Sequence, residues 1–288
     1  MAPKTWLITG SSSGLGLSLT MLLLKHKQHV IATSRNPDSV PKLVSQVQSL
    51  GGHWLPLDVT APEAEITSTI TKATAIFGSI DVLVNCAGYA LLGAFESISE
   101  DEARAQMETN YFGPLKTTRA VLPRMRARGH GTVVQISSTA GIEARASRSA
   151  YSASKFALEG MSEALSNEVR PLGIRVVLVE LGAFRTPFSR RCVLPRAVLP
   201  GGYEGTELGK MMDVVLKGYA GGQALGDVEK AGEIIFEVVM GEGRGEGMDR
   251  LRLPLGKDSA ARWKVVIDEL KGTLDGTEAL WSSTDHED

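Results

Sequence analysis

Short apolar runs alternate along the first 180 residues with longer stretches in which apolar residues recur every three or four positions. Such runs are typical of strands buried on both faces, and the wider spacing is typical of helices. The pattern predicts strands near residues 6–9, 30–33, 53–57, 81–85, 132–137 and 175–179. It predicts helices near residues 14–27, 41–50, 62–77, 99–128 and 151–170. This alternation predicts an α/β protein with a doubly wound, mostly parallel sheet and helices on both faces.

Two later segments depart from the alternation. Residues 184–227 carry several prolines and two Gly-Gly pairs, with a helical pattern only near 207–218. A long irregular insertion in a compact fold is usually a lid or a mobile loop, so we predict a substrate lid here. Residues 241–288 form a C-terminal extension in which a run at 251–255 is long enough for one more strand. We find no linker, and we predict one domain over residues 1–288.

The longest predicted helix begins with a capping-box pattern, because Glu102 follows Ser99 by three residues. The two long helices predicted near 99–128 and 151–170 suit a dimer interface and suit plain sheet-covering helices equally well. We expect a homodimer or a homotetramer.

The composition excludes several functional classes. Hydrophobic residues make up 43% and charged residues 22%, as in ordinary globular proteins, and the net charge of −2 provides no field for nucleic acid. The two cysteines and five histidines form no metal-ligand spacing and no disulfide framework. The N-terminus lacks a signal-peptide pattern, and the apolar run at 22–24 is too short to span a membrane. We therefore expect a cytoplasmic protein without a metal, nucleic acid or membrane partner.

A glycine-rich turn, Thr9-Gly10-Ser11-Ser12-Ser13-Gly14-Leu15-Gly16, follows the first predicted strand. Glycines let a backbone turn tightly and approach a diphosphate closely, and the helix that follows offers free N–H groups. Glycines also serve ordinary turns, so the placement between strand and helix is what indicates a dinucleotide site. The predicted cofactor-binding residues of this turn are Gly10, Ser12, Ser13, Gly14, Leu15 and Gly16.

The end of the second predicted strand indicates which dinucleotide binds. NAD sites usually place a carboxylate there for the ribose 2′-hydroxyl, whereas this chain has Ser34 and Arg35. An arginine pairs well with a 2′-phosphate, and Ser34 offers a further hydroxyl donor. The alternative is that Arg35 is an ordinary solvated surface residue. We predict NADP(H) as the cofactor.

Tyr151 and Lys155 lie four residues apart, and therefore on one face of a predicted helix. A free tyrosine has a pKa of about 10, and a nearby ammonium group favours the phenolate. Lys155 would thus lower the pKa of Tyr151 and make it a usable proton donor or acceptor. The Tyr-x-x-x-Lys spacing alone is common by chance in helices.

The combination of motifs is far more specific. The glycine-rich turn, Asn85-Cys86-Ala87-Gly88, Asn110, Ser138 and the Tyr151–Lys155 motif together resemble the short-chain dehydrogenase/reductase family over residues 5 to 186. The stretch from Tyr151 to Gly160 is similar to the branch of 17β-hydroxysteroid dehydrogenases and microbial ketoreductases, and residues 251–256 resemble a C-terminal element of microbial members. The resemblance implies a Rossmann fold and an oxidoreductase.

The resemblance also implies a role for each motif residue. Tyr151 would protonate the carbonyl oxygen, Ser138 would bind that oxygen, and Lys155 would lower the pKa of Tyr151 and bind the nicotinamide ribose. Asn110 would hold a water that links Lys155 to solvent. Asp58 would contact the adenine, Asn85 to Gly88 would flank the cofactor, and Thr186 would bind the carboxamide. The cofactor-binding set is completed by Tyr151, Lys155, Asp58, Val59, Asn85, Ala87, Gly88, Gly182 and Thr186.

Simpler interpretations exist for two of these residues. Either Ser137 or Ser138 is suited to a turn hydroxyl, and Asn110 is suited to satisfying a helix kink. The family usually has proline where this chain has Leu181, which we expect to loosen the nicotinamide edge of the site. Cys86 replaces the family's asparagine, a change that we expect to be tolerated.

The substrate is predicted only as a class. Residues 140–149 and the lid should line the pocket, with apolar walls from Phe184, Phe188, Val193, Leu194, Val198 and Leu199. Glu143, Arg145 and Arg148 either join the pocket or face solvent. This mixture suits a medium-sized, partly hydrophobic ketone. We expect an NADPH-dependent carbonyl reductase; the alternatives are an NADP-dependent alcohol dehydrogenase and a non-catalytic dinucleotide-binding module.

Overall fold

A computed structural model describes residues 2–216 and 225–285. Seven parallel strands form one sheet in the order β3-β2-β1-β4-β5-β6-β7. The strands are β1 Thr5–Ile8, β2 His29–Ser34, β3 His53–Pro56, β4 Val82–Asn85, β5 Gly131–Ser138, β6 Ile174–Leu181 and β7 Arg252–Leu255. The strand order reverses between β1 and β4, and ligands of doubly wound sheets bind at the carboxyl ends of the strands at such a point. The predicted α/β fold with a parallel sheet is confirmed.

Ten α-helices cover the sheet or extend from it within the described residues. They are α1 Gly14–Lys25, α2 Pro41–Ser49, α3 Glu63–Phe77, α4 Glu100–Met107, α5 Gly113–Arg128, α6 Ser149–Val169, α7 Glu207–Leu216, α8 Val228–Met240, α9 Lys257–Gly276 and α10 Glu278–Trp281. On β1, Trp6 and Ile8 pack on the side of α1 and α8, whereas Leu7 packs on the side of α3 and α5. Because the central strands are buried on both faces, their sequences are mostly apolar.

The long helix predicted near 99–128 is interrupted. Its capping box is present, since Ser99 and Glu102 exchange side-chain and backbone hydrogen bonds at the start of α4. Residues Glu108–Phe112 then form a π-helical turn before α5 begins. A regular α-helix would bond the Asn110 carbonyl to the N–H of residue 114, which is a proline. The helix changes its hydrogen bonding at this point, and Asn110 lies in the irregular turn.

Two isolated β-bridges hold the lid. Phe184 and Gly226, near its two ends, pair with each other, and Val193 pairs with Leu91 in the loop after β4. A 3-10 turn, Ser189–Arg191, and the helix α7 lie between these anchors. The helix predicted near 207–218 is present as far as Leu216, and its last two residues lie outside the described residues, as do the Gly-Gly pair at 221–222 and residues 286–288 of the acidic tail.

The C-terminal extension adds to the fold in a way that the sequence pattern only partly indicated. The strand predicted at 251–255 is present as β7, parallel to β6. The helices α8 and α9 that flank it were not predicted. No helix in the described part of the chain is both long and apolar enough to cross a membrane.

Candidate active site

The four residues predicted to carry the chemistry lie together at the carboxyl end of the sheet. Ser138 ends β5, Tyr151 and Lys155 lie one turn apart on α6, and Asn110 lies in the π-helical turn. Tyr151 and Lys155 are each only 6% exposed, and Asn110 is fully buried. The Ser138 hydroxyl hydrogen-bonds to the Tyr151 phenol and also accepts a bond from Ala140 N at 3.2 Å. The contact with Tyr151 favours Ser138 over Ser137 as the residue of the site.

Burial sets the charge state of Lys155. Its Nζ donates a hydrogen bond of 2.7 Å to the Ile136 carbonyl. Burial lowers the pKa of Lys155 to about 8, while Cys86 and Glu159 act in the opposite direction. The ammonium is therefore the main form at neutral pH, and its proton is given up just above neutrality.

Tyr151 behaves differently from the sequence expectation. Burial raises the pKa of Tyr151, and the bond from Ser138 and the charge of Arg148 only partly offset that rise. The groups that offset the rise are Ser138 and Arg148, while the Lys155 ammonium group bonds the Ile136 carbonyl. The phenol consequently keeps its proton at neutral pH, which is the form that a general acid requires.

The Asn110 carboxamide is held at both ends. Its Oδ1 accepts from the Tyr89 N–H at 3.2 Å, and its Nδ2 donates to the Tyr89 carbonyl at 3.0 Å and to Ser154 Oγ at 3.1 Å. Gly88 lies between Asn110 and Lys155, because a Cβ added there would be 3.1 Å from Asn110 Oδ1 and 4.0 Å from Lys155 Nζ. Asn110 lies in the irregular helical turn, but its side chain bonds Tyr89 and Ser154 and no backbone group of that turn. Irregular π-helical turns are frequent at functional sites.

The glycine-rich turn packs directly against the loop that follows β4. A Cβ added at Gly10 would lie 2.8 Å from the Cα of Ala87, and Gly10 has a φ of 73°. Thr9 Oγ1 accepts from the N–H groups of Cys86 at 3.0 Å and Ala87 at 3.1 Å. Only glycine fits this close approach, which packs the glycine-rich turn against the loop after β4.

The start of α1 fits an anionic group. The first turn of α1 contains no acidic residue, and the Ser13 side chain does not cap the helix. The helix N-terminus therefore carries a partial positive charge without a compensating side chain. Together with the glycine-rich turn, this helix N-terminus fits the diphosphate of a dinucleotide.

The residues predicted to choose the dinucleotide lie at the end of β2. Burial raises the pKa of Tyr89, and the charge of the exposed Arg35 partly offsets that rise, so Arg35 lies near this phenol. Ser34 is buried, and its hydroxyl accepts a 3.0 Å bond from Trp54 Nε1. The guanidinium of Arg35 is thus the exposed charge at this edge, whereas the Ser34 hydroxyl is partly engaged by the core.

Comparisons with known proteins identify the family. A family model described as short chain dehydrogenase matches residues 4–194. The chain belongs to the short-chain dehydrogenase family. Oxidoreductase claN of Passalora fulva is 46% identical over 186 residues, covering 64% of this chain and 84% of that protein. Oxidoreductase BOA17 of Botryotinia fuckeliana is 34% identical over 257 residues, covering 89% and 90%.

A solved structure agrees with this assignment along almost the whole chain. The short-chain dehydrogenase from Streptomyces avermitilis is similar with a TM-score of 0.86 and 36% identity, covering 99% of both chains. The protein is therefore an oxidoreductase of the short-chain dehydrogenase family, and its fold is one that binds a nicotinamide dinucleotide.

Two residues that the family resemblance assigned to the cofactor have structural duties here. The buried Asn85 side chain donates to Thr118 Oγ1 at 3.1 Å and to Gln135 Oε1 at 3.0 Å. Any contact from position 85 of this short-chain dehydrogenase to a cofactor would therefore come from the backbone. The Asp58 carboxylate accepts from the Thr60 N–H at 2.9 Å and the Thr60 hydroxyl at 2.7 Å. Val59 is buried, and a Cβ added at Gly113 would lie 2.9 Å from its Cβ.

The nicotinamide edge is fixed, contrary to the expected effect of Leu181. Leu181 pairs with Leu255 of β7, and the Gly182 N–H donates to the Leu255 carbonyl at 2.9 Å. The Asp258 carboxylate accepts from Ala183 N at 2.6 Å, and a Cβ at Gly182 would overlap that carboxylate. β7 and α9 therefore hold the segment where other family members carry proline.

The lid bridges the two halves of the site. The Cβ of Thr186 lies 3.6 Å from the position of a Cβ added at Gly14, and the rings of Phe188 and Tyr151 are 6.1 Å apart. Arg191 Nη1 donates to Ser13 Oγ at 3.3 Å. The sequence analysis missed Arg191, because its contact joins positions 178 residues apart in the chain. The only signal for it was the presence of several arginines in the lid.

A buried carboxyl pair lies behind the reaction centre, and the sequence analysis missed it too. Glu180 on β6 is fully buried, and Glu159 on α6 is 4% exposed. Arg252 of β7 lies 3.3 Å from Glu180 and 3.5 Å from Glu159, and it bonds Glu163 at 2.9 Å. Trp263 Nε1 donates to Glu180 at 2.5 Å. The available signal was a glutamate inside the apolar strand sequence of β6.

The pKa values of both carboxyl groups of the pair are raised. Burial and the charge of Glu159 raise the pKa of Glu180 to about 7. Burial also raises the pKa of Glu159, and Ser137, Arg252 and Lys155 partly offset this rise. We name these two residues with Arg252 the carboxyl–arginine cluster.

Proposed function

We propose that the protein is an NADPH-dependent carbonyl reductase that reduces a medium-sized, partly hydrophobic ketone. The observation that carries this proposal is the buried, protonated Tyr151 phenol bonded to Ser138, beside Lys155 and a glycine-rich turn for a dinucleotide. A phenol that keeps its proton at neutral pH is ready to donate it, whereas oxidation of an alcohol needs the phenolate. The proton that Tyr151 carries, and not the upward shift of its pKa, supports the reductive direction, since a raised pKa makes the phenol a weaker acid.

Each residue has a distinct task in this proposal. Tyr151 donates its proton to the carbonyl oxygen, and Ser138 donates a hydrogen bond that positions the same oxygen. Lys155, whose proton is available near neutral pH, binds the cofactor ribose and returns a proton to Tyr151. Asn110 fixes the loop at Tyr89 and Gly88 against which Lys155 lies. The reduced nicotinamide supplies the hydride when it is bound.

The walls of the pocket support a partly apolar substrate. Phe188 lies next to Tyr151, and the backbone of Val193 in the lid bonds the backbone of Ala90 and Leu92. Two charged residues of segment 140–149 are paired with other elements. Glu143 lies 3.1 Å from Arg262 of α9, and Arg145 lies 3.9 Å from Glu207 of α7. Because these charges are compensated by protein groups, we propose that apolar contacts dominate substrate binding.

Cofactor binding tests the proposal first. The purified protein is titrated with NADPH and NADH while nicotinamide fluorescence is followed, and a panel of cyclic and aromatic ketones is then assayed with the tighter-binding cofactor. We expect tight NADPH binding, weaker NADH binding and turnover of at least one ketone. Weak binding of both cofactors would contradict the proposal and favour a non-catalytic module.

The Arg35→Asp variant tests the choice of NADPH. Arg35 would form charge-assisted hydrogen bonds with the 2′-phosphate, and an aspartate would repel it. We expect NADPH affinity to fall about 10- to 100-fold, with NADH affinity unchanged or improved. Arg124→Asp, which makes the same charge change on α5, is the matched control. An unchanged ratio of NADPH to NADH affinity in Arg35→Asp would refute the assignment.

Self-association stays a prediction, and we propose a homodimer or homotetramer. Phe112 and Phe156, beside and on the long helices α5 and α6, are 42% and 46% exposed. Covering such aromatic surface favours association. Light scattering on the full chain should therefore give a mass at least twice 30.8 kDa. A mass of one chain at micromolar concentration would contradict this expectation.

A further inference from the structure

Arg191 occupies an electrostatically unfavourable position unless an anion joins it. Its guanidinium bonds Ser13 Oγ at the start of α1, where the helix already carries partial positive charge. Cations are stabilised at the opposite end of a helix. Across residues 2–216 and 225–285, no carboxylate lies within ion-pair distance of Arg191.

Backbone hydrogen bonds and packing contacts fix the lid segment that carries Arg191 beside the glycine-rich turn. The Arg191 N–H bonds the Phe188 carbonyl at 3.1 Å, which closes the 3-10 turn. Two residues later, Val193 exchanges backbone bonds with Ala90 at 2.8 Å and Leu92 at 2.9 Å. Five residues earlier, Thr186 lies against Gly14. The Arg191 guanidinium therefore lies beside the glycine-rich turn, in a lid segment that is in contact with the rest of the protein both before and after this residue.

The chemistry of the two groups indicates what fits there. A guanidinium presents a planar fork of donors that matches phosphate oxygens, and the free N–H groups of a helix N-terminus bind the same kind of oxygen. The Ser13 hydroxyl does not cap α1 and serves as the acceptor that holds Arg191 in place. A diphosphate would receive donors from the helix and from the lid together.

We propose that Arg191 is a diphosphate-binding residue by which the lid recognises the bound dinucleotide. The proposal rests on the proposed function only in requiring that the chain binds a nicotinamide dinucleotide. Two arginines then bind different phosphate groups of the cofactor. Arg191 binds the diphosphate, which NADH and NADPH share, whereas Arg35 binds the 2′-phosphate, which only NADPH has.

Four probes distinguish these two roles without an activity assay. The unaltered protein, Arg191→Ala, Arg191→Lys and Arg190→Ala are titrated calorimetrically with NADPH, NADH, ADP-ribose and adenosine 2′-monophosphate. We expect Arg191→Ala to weaken NADPH, NADH and ADP-ribose by about tenfold each and to leave the monophosphate unchanged. Arg191→Lys, which keeps the charge without the fork, should lose less. Arg190→Ala removes the same charge from the same turn and should change nothing.

The outcomes separate failure of this inference from failure of the proposed function. If Arg191→Ala binds all four probes as the unaltered protein does, Arg191 is not a phosphate ligand. If it loses only NADPH and the monophosphate, Arg191 reads the 2′-phosphate and the inference is overturned. If the unaltered protein binds neither dinucleotide, the cofactor proposal itself fails and this inference fails with it. Because Arg191 is exposed, its replacement should leave the thermal unfolding temperature unchanged, which checks that the variant is folded.

Discussion

Replacing Tyr151 with phenylalanine should lower kcat by about a thousandfold or more while NADPH affinity changes by less than about threefold. General acid catalysis contributes about a hundredfold to ten-thousandfold, and phenylalanine removes only the hydroxyl that would donate the proton. The ring stays buried next to Phe188, so the pocket keeps its shape. Steady-state reduction kinetics and a fluorescence titration with NADPH measure the two quantities separately.

The chain offers a matched control for this experiment. Tyr203 lies in the lid, where its hydroxyl donates to Glu96 at 2.5 Å. Tyr203→Phe removes a phenolic hydroxyl of the same kind far from Ser138 and should keep kcat within about twofold. If Tyr151→Phe keeps full turnover, Tyr151 is not the general acid and the proton must come from another group.

Replacing Arg252 with methionine should destabilise the protein by about 2–4 kcal/mol at pH 8 and by clearly less at pH 6. Removing one partner of a buried charge cluster leaves uncompensated charge, which usually costs about 3–5 kcal/mol. We reduce that figure because the Arg252 side chain is 30% exposed and solvent screens part of its charge. For a chain of this length, the unfolding temperature at pH 8 should fall by roughly 5–10 °C.

The pH dependence follows from the direction of the pKa shifts. The pKa of Glu180 is raised to about 7, so the folded protein keeps a proton that the unfolded chain releases from pH 4.5 upward. Stability therefore falls as the pH rises from about 4.5 to 7. Below pH 7 the Glu180 carboxyl of the folded protein is mostly neutral and gains little from the charge of Arg252. Above pH 7, Glu180 is ionised and shares one cation with Glu159 and Glu163, so the loss of Arg252 has its full effect.

Two further variants make this prediction specific. Glu180→Gln imitates the protonated carboxyl, so it should flatten the stability change between pH 5 and 7 and restore much of the stability of Arg252→Met. Arg170→Met breaks an exposed ion pair with Asp249 and should cost less than about 1 kcal/mol at any pH. Urea unfolding at pH 6 and pH 8 measures all of them. An equal loss at both pH values in Arg252→Met would show that its role is packing alone.

The sequence was sufficient for the sheet and for the central residues of the site. Strands of a sheet that is covered on both faces are mostly apolar, so six strands were visible as apolar runs, and β7 was visible as a seventh. Motif spacing placed Ser138, Tyr151 and Lys155 together because each lies at the carboxyl end of a strand or on the helix that packs there. That residues 1–288 act as one cytoplasmic domain stays a prediction.

Other features depend on contacts that spacing does not encode. Periodicity continues through a π-helical turn, and only Pro114 hinted that the helix changes at Asn110. Burial is the main cause of the raised pKa of Tyr151. The sequence shows which residues neighbour Tyr151 on its helix, but it does not show how deeply the side chain is buried. The helix α9 was missed although Trp263, Ile267, Leu270 and Leu274 recur at helical spacing, and the last three of these are exposed. The partners of Glu180 come from three separate elements.

The carboxyl–arginine cluster also bears on how the protein is made. Synthesis proceeds from the N-terminus at about 5–20 residues per second, so the catalytic helix emerges roughly 5–20 seconds before Arg252, which follows Lys155 by 97 positions. During that interval Glu159 and Glu180 lack the cation that balances them, and β6 lacks its neighbour β7. A nascent chain therefore carries all four proposed catalytic residues before it can hold them firmly. The cation of the carboxyl–arginine cluster is therefore made after the catalytic residues, although it takes no part in the proposed chemistry.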